Sequence, residues 1–331
     1  MAVTPPHPSA PPTAVTSPMM AQIDEEAALQ YFDQGLYGDL DWEGTLDFMT
    51  RRYIQPLQHV LQPEASAERA LAGLTLADCG AGFGWLSFAW LKAGGEQAIL
   101  IEPDARRLRA AQAIAKHLGL LPRCTFLNTR MQDAPLADYA VDVAASVECL
   151  EHVGRPSIAA CINTLCRLPK QAVLLTTPNA RFPIIAHDSR LPAAHWLPKS
   201  LRQRYAGWFG RAKQEEGNDF LRPADLRPLQ QHFKPTTRYQ TFGTFREFLA
   251  FYPHYLPYGP QAQRQRTAPS WALRTLVKVT GSLFGTGAWR WSPNLANIWL
   301  RDPPLTGSPA SPRDIPAGPV NSPSNGEQAH G

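Results

Sequence analysis

Between residues 74 and 180 the apolar positions keep two alternating rhythms. Short, nearly continuous apolar runs, "LTLADCG" (74–80), "AILIEPD" (98–104), "RCTFLNT" (123–129), "VDVAASV" (141–147) and "AVLLTTPN" (172–179), have the length and branching of buried strands. Between them lie stretches of helical period. "WLSFAWLKAGG" (85–95) ends on a glycine pair, and "ARRLRAAQAIAKHLG" (105–119) repeats Leu108, Ala111, Ala115 and Leu118 before Gly119. "SIAACINTLCRL" (157–168) puts Ile158, Cys161, Ile162, Leu165 and Leu168 on one face. Strand and helix in strict alternation predict an α/β fold, a doubly wound, mostly parallel sheet with helices on both faces. Ligands of such sheets bind beyond the carboxyl ends of the strands, where Asp78, Ile101, Val147 and Thr177 fall.

The flanks read less regularly. "YFDQGLYGDLDWEGTLDFMTRRYIQPLQHVL" (31–61) predicts helix, with Tyr31, Tyr37 or Trp42 near the ligand. "RPADLRPLQQHF" (222–233) predicts a helix before a sixth strand near "TRYQTF" (237–242), and "NLANIWLRDP" (294–303) reads as the last strand. Residues 181–260 carry many aromatics, including Phe182, Trp196, Tyr205, Trp208, Phe209, Phe220 and Phe233. They predict either an aromatic-rich helical lid over the sheet edge or a cap burying its own small core.

Composition sets the boundaries. Of 32 prolines, six fall in residues 1–20 and seven in 303–331, among Ala, Ser, Thr, Gly and Asn. Such tails cannot bury enough apolar surface to offset the entropy of ordering, so 1–20 and 305–331 are expected to be disordered. The folded unit is expected over 21–304: a ligand-binding core at 74–180, a substrate-facing part at 181–260 and closing elements at 261–304. A net charge of +4 comes largely from "KSLRQRYAGWFGRAK" (199–213) and "AQRQRTAPSWALRTLVK" (262–278). Runs of this kind are mostly solvated faces, giving no firm nucleic-acid signal and only a weak one for peripheral membrane contact. The cysteines Cys79, Cys124, Cys149, Cys161 and Cys166 form no CxxC pair, as expected of reduced thiols in a cytoplasmic protein. No signal peptide and no 18-residue apolar span is present. Oligomeric state is not legible.

The chemistry concentrates in two places. "DCGAGFG" (78–84) joins the first strand to the first helix, a turn whose free N–H groups and glycines let an anionic group lie against the backbone. A dinucleotide fingerprint starting at Gly80 would need a glycine where Trp85 stands, which opposes close helix–strand packing and disfavours NAD(P). The second place is "VECLEHVG" (147–154), with Glu148, Glu151 and His152 at i, i+3 and i+4, on one face if helix begins there.

Asp78, Gly80, Gly82 and Gly84, followed by Glu102 in "IEPD", resemble the first two motifs of the class I S-adenosylmethionine-dependent methyltransferases. "CLEHV" (149–153) and "TTPN" (176–179) resemble later motifs, so the likeness covers about 75–180. It implies a Rossmann-like fold and S-adenosyl-L-methionine as cofactor. The glycine turn would hold the methionine part, Asp78 its ammonium group directly or through water, and Glu102 the ribose hydroxyls. Met131 would line the adenine, with Arg130 standing where relatives often carry an acid, Asp133 nearby, and Glu148 facing the cofactor. The fuller E-x-x-E-H pattern resembles ubiquinone-type O-methyltransferases and small-RNA 2′-O-methyltransferases. It implies Mg²⁺ or Mn²⁺ on Glu148, Glu151 and His152, with His187 or His195 as a fourth ligand. The competing reading makes Glu151 and His152 loop-orienting and capping residues, and a third makes His152 or His187 a general base. The function expected is methylation of a small-molecule or lipid-linked acceptor, on oxygen. The alternatives are a non-catalytic methyltransferase-like binding module and an NAD(P)-dependent oxidoreductase.

Overall fold

The computed structural model describes residues 42–62, 70–185, 188–236, 271–284, 290 and 294–302. In chain order these form α1 (Trp42–Met49), a π-turn (Thr50–Ile54), α2 (Gln55–Leu61), β1 (Thr75–Cys79), α3 (Trp85–Lys92), β2 (Gln97–Ile101), α4 (Ala105–His117) and β3 (Cys124–Leu127). There follow β4 (Val141–Val147), α5 (Ile158–Arg167), β5 (Pro169–Thr176), α6 (Lys199–Trp208), α7 (Arg227–His232), β6 (Phe233–Pro235), α8 (Trp271–Phe284) and β7 (Asn297–Arg301). The tails, Tyr31, Tyr37 and the strand expected at 237–242 lie outside the described residues.

The sheet has seven strands in the order β3-β2-β1-β4-β5-β7-β6. β1 to β5 run parallel, while β7 pairs antiparallel with both β5 and β6. This is the Rossmann-like fold the alternating pattern predicts. The chain reverses its winding between β1 and β4, so a crevice opens beyond their carboxyl ends. The sixth strand comes earlier than expected: the chain leaves α7 directly into Phe233–Pro235, whose Phe233 is buried.

Each face of the sheet has its own core. On one side Trp85, Phe88 and Trp90 of α3 pack with Phe48, Tyr53, Leu57 and Ile114. On the other, Ile158, Ile162 and Leu165 of α5 pack with Leu226, Leu229, Phe233 and Trp299. The mixed apolar and polar face of α4 begins cleanly because Asp104 caps it, its Oδ1 accepting from Arg106 N at 2.8 Å.

Trp90 is fully buried, and its Nε1 donates to the Gln97 carbonyl at 3.1 Å. Trp90→Ala removes the ring and orphans that carbonyl. Urea unfolding is expected to show a loss of about 3–5 kcal/mol.

Candidate functional site

The turn after β1 takes its shape from three left-handed glycines, Gly80, Gly82 and Gly84 (φ 85°, 56° and 83°). Gly80 N and Ala81 N both donate to the Ile101 carbonyl, at 2.9 and 3.1 Å, which folds the turn over the end of β2. At Gly80 the requirement is also steric, because a Cβ would lie 2.2 Å from Cys149 Sγ. The glycine turn of β1 and the ECLEH segment of β4 therefore touch across the crevice.

Glu102 closes the other side of the turn. It is buried, its Oε2 accepting from Gly82 N at 2.9 Å and its Oε1 from Asp104 N at 3.0 Å. Each carboxylate oxygen has a second lone pair, so both remain able to accept from a diol. Asn128 steadies this corner by donating to the carbonyls of Glu102 and Pro103, each at 3.0 Å. The helix-capping role goes to Asp104, not Glu102.

Asp78 lies beneath the turn rather than on the cavity surface. It is buried, and its Oδ2 accepts from Ser87 Oγ at 2.8 Å. Burial raises its carboxyl from 3.8 to about 6; Ser87 opposes the rise and the nearby Glu102 adds to it. Direct contact with an ammonium group, one of the two routes the resemblance implies, is not what the cavity lining offers.

A cavity of about 610 Å³ opens above these residues, within the range of small-molecule sites. Gly80 and Glu102 line one part of it, Met131 and Gln132 another, and Glu148, Cys149, His152 and Glu216 a third. Met131 is buried in the short turn after β3 and lines the cavity, whereas Asp133 is exposed and takes no part in the lining. Gln132 takes that place. Sequence reasoning passed over it because a lone Gln in a turn carries no pattern.

The ECLEH segment corrects one expectation. Only Leu150–His152 is helical, as a single 3₁₀ turn, and Glu148 before it is left-handed (φ 48°), so the three side chains do not share a helical face. Glu148 N is held by the carbonyl and hydroxyl of Thr176, at 2.9 and 3.2 Å. Glu151 turns into the protein, 1% exposed, with Oε2 accepting from Thr177 Oγ1 at 3.0 Å. His152 Nε2 is 4.0 Å from Glu151 Oε1. Among the described residues no three His, Cys, Asp or Glu side chains are grouped to hold a metal ion. Glu148, Glu151 and His152 thus do not fit the implied Mg²⁺ or Mn²⁺ site.

His152 instead belongs to a hydrogen-bonded row. Its Nδ1 is 3.0 Å from Asn218 Oδ1, and Asn218 Nδ2 donates to Asp188 Oδ1 at 2.8 Å and to Glu216 Oε2 at 3.3 Å. The two acceptors fix the amide with its oxygen toward the imidazole, so Nδ1 carries the proton. His195, the other histidine expected near a metal, sits in a separate cavity, its Nε2 donating to the Ala180 carbonyl at 3.0 Å. His187 lies outside the described residues.

The described part of the aromatic insertion buries a small core of its own. Leu191, Ala194, Tyr205 and Ala206 make a small core of their own, while Trp196, Trp208 and Phe209 are exposed. Among its described residues only Glu216 reaches the first cavity. No helix among the described residues is long and apolar enough to cross a membrane.

A family model described as a methyltransferase domain matches residues 76–172. An uncharacterized methyltransferase of Mycobacteroides abscessus is 40% identical over 88 residues, which is 26% of this chain and 33% of that protein. One from Mycolicibacterium vanbaalenii is 37% identical over 93 residues, 28% of this chain and 34% of that protein. The chain thus spans about a third of the length of the curated relatives it matches. Among solved structures, magnesium protoporphyrin IX methyltransferase from Synechocystis PCC 6803 with bound SAH is similar at TM-score 0.42 and 16% identity. It covers 64% of this chain and 91% of its own. Geranyl diphosphate C-methyltransferase from Streptomyces coelicolor A3(2) gives 0.40 and 12%, over 75% and 76%.

The buried Asp78 sets a pH dependence. A carboxyl raised from 3.8 to about 6 binds more protons folded than unfolded, so its contribution is full below about pH 4 and is lost as pH rises through 6. Asp78→Asn keeps an acceptor for Ser87 and removes the titration. Urea midpoints of the two proteins, measured from about pH 4 to 7, should diverge by an amount on the order of 3 kcal/mol, the variant gaining toward neutral pH.

Proposed function

We propose that this chain, whose residues 76–172 match a methyltransferase-domain family model, is a class I S-adenosylmethionine-dependent methyltransferase that transfers a methyl group to an oxygen of a small-molecule or lipid-linked acceptor. The observation that carries this reading is the single cavity shared by Gly80 and Glu102 on one wall and His152 on another. Its carboxylates Glu102, Glu148 and Glu216 suit a ligand bearing a sulfonium and an ammonium, and Arg107 and Arg130 at its rim suit the same ligand's carboxylate. When bound, S-adenosylmethionine supplies a methyl group already activated by positive sulfur.

What remains for the protein is alignment and one proton. Glu102 accepts from the ribose hydroxyls, and the glycine turn it steadies receives the methionine part. Met131 and Gln132 border the base, the Gln amide offering both donor and acceptor. His152, with Nδ1–H directed to Asn218, has Nε2 as the ring atom able to take the proton from an acceptor hydroxyl as the oxygen–carbon bond forms and the methyl–sulfur bond breaks, the electron pair leaving with S-adenosylhomocysteine. Glu151 Oε1, 4.0 Å from that nitrogen, stabilises the imidazolium that results. The likeness of the ECLEH segment to O-methyltransferases supports oxygen as the accepting atom, and no step is assigned to a metal.

Calorimetry with S-adenosylmethionine, S-adenosylhomocysteine and NAD tests the cofactor: the two sulfur ligands should bind and NAD should not. Glu102→Gln, which keeps one acceptor oxygen, should weaken S-adenosylhomocysteine about tenfold, as expected for a lost charge-assisted bond. Heat from NAD alone, or none from either sulfur ligand, refutes the reading.

For the chemistry, a screen of phenol, quinol, sugar and lipid acceptors by donor consumption comes first. With the acceptor it identifies, His152→Gln should lower turnover by about 10²–10⁴. S-adenosylhomocysteine affinity should stay close to that of the unaltered protein.

A further inference from the structure

A second cavity, of about 560 Å³, lies between the 194–202 and 219–222 segments, behind the wall that carries His152. We propose that it is a binding site for a planar anion: an aromatic or heterocyclic ring bearing a phosphate or carboxylate group. Three guanidinium groups line it, Arg155, Arg202 and Arg222, against one carboxylate, Asp219. That carboxylate is already occupied, its Oδ2 accepting from Lys199 Nζ at 2.8 Å and from Arg155 N at 3.1 Å. The balance of charge facing the space is positive.

The cations are also held in place. Arg155 makes a bidentate pair with Asp225, at 2.6 and 2.9 Å, which engages two of its five donors. Arg202 donates to three carbonyls, of Leu197, Asn218 and His195, at 3.0, 2.9 and 2.8 Å, again with donors to spare. Arg222 stands exposed at the lip. Guanidinium groups fixed before a ligand arrives lose little entropy in forming further bonds, which favours phosphate or carboxylate capture.

The apolar half of the site is Trp196. Its indole is 57% exposed, yet it is not loose: Nε1 donates to the Ala180 carbonyl at 2.7 Å, and its ring stands edge-on to His195 at 5.4 Å. His195 is in turn packed edge-on against the buried Phe220. A large aromatic surface held rigid in solvent, beside fixed cations, is suited to stack a flat ring whose charged substituent reaches the arginines. None of these residues lines the first cavity, so the site itself is argued without the proposed methyl transfer. The anion has two sources in principle, a free small molecule or the charged end of the methyl acceptor.

The test uses inorganic phosphate and phenyl phosphate, titrated at low salt into the full-length protein and followed by calorimetry. Both should bind, phenyl phosphate the more tightly. Arg222→Ala should weaken both about tenfold, as for one lost charge-assisted contact. Trp196→Ala should erase the advantage of phenyl phosphate over phosphate while leaving phosphate itself nearly unchanged. Both side chains are exposed, and circular dichroism checks that the variants fold. Arg222→Gln serves as the second substitution at that position. Absence of saturable binding, equal affinity for the two probes, or binding indifferent to both substitutions overturns the proposal. Repeating the titration in saturating S-adenosylhomocysteine separates the sources: altered affinity indicates the acceptor's charged end, and unchanged affinity a free anion.

Discussion

Much of the architecture beyond the sheet hangs on the carboxylate of Glu102. It is buried and held by two backbone N–H donors, from Gly82 in the turn after β1 and from Asp104 at the start of α4. One side chain thereby joins the glycine turn, the end of β2 and the first turn of the next helix. The turn could not take its left-handed course without glycine, and it would have little to hold it there without this acid. The cavity inherits its shape from that arrangement, since its walls are the backbone Glu102 fixes and the ECLEH segment that packs against Gly80.

The parts of the fold that were legible in the sequence are those in which periodicity and burial agree. The runs at 75–79, 97–101 and 141–147 are packed on both faces, so apolar residues dominate them and the few polar ones, such as Asp78, Asp142 and Ser146, do not break the strand pattern. The glycine turn was legible because three left-handed positions leave few alternatives to glycine. Position 102 was legible only jointly with the glycine turn, through the resemblance, since an acid before a proline read alone suits a helix cap equally well. The last elements were harder. The strand at 233–235 is only three residues long and continues directly from a helix, so its local signal is weaker than that of the aromatic stretch just beyond it.

The ECLEH segment was misread for an instructive reason. Spacing at i, i+3 and i+4 implies a shared face only if each residue is right-handed helical, and Glu148 is not. Nothing in its identity announces that. The conformation is imposed by the end of β5, where Thr176 binds the Glu148 N–H through both its carbonyl and its hydroxyl. The consequence is a division of labour among three polar residues that the pattern presents as equals: one lines the cavity, one anchors the segment internally to Thr177, and one is oriented by an asparagine 66 positions away. That last partner comes from the insertion, and no local rule connects the two. The arginine-lined cavity was hidden in the same way, its residues drawn from 155, 202 and 222, each of which alone reads as a solvated charge.

The sheet order carries a consequence for how the molecule is made. β7, at Asn297–Arg301, is wedged between β5 and β6, and just before it Leu295 N donates to the carbonyl of Thr177, the residue whose hydroxyl anchors Glu151. During synthesis the open edge of β5 therefore stays bare until residue 301 has emerged from the ribosome. A nascent chain can form the glycine turn early, but the sheet edge beside its anchor is closed only by the last strand among the described residues, which leaves an interval open to mispairing.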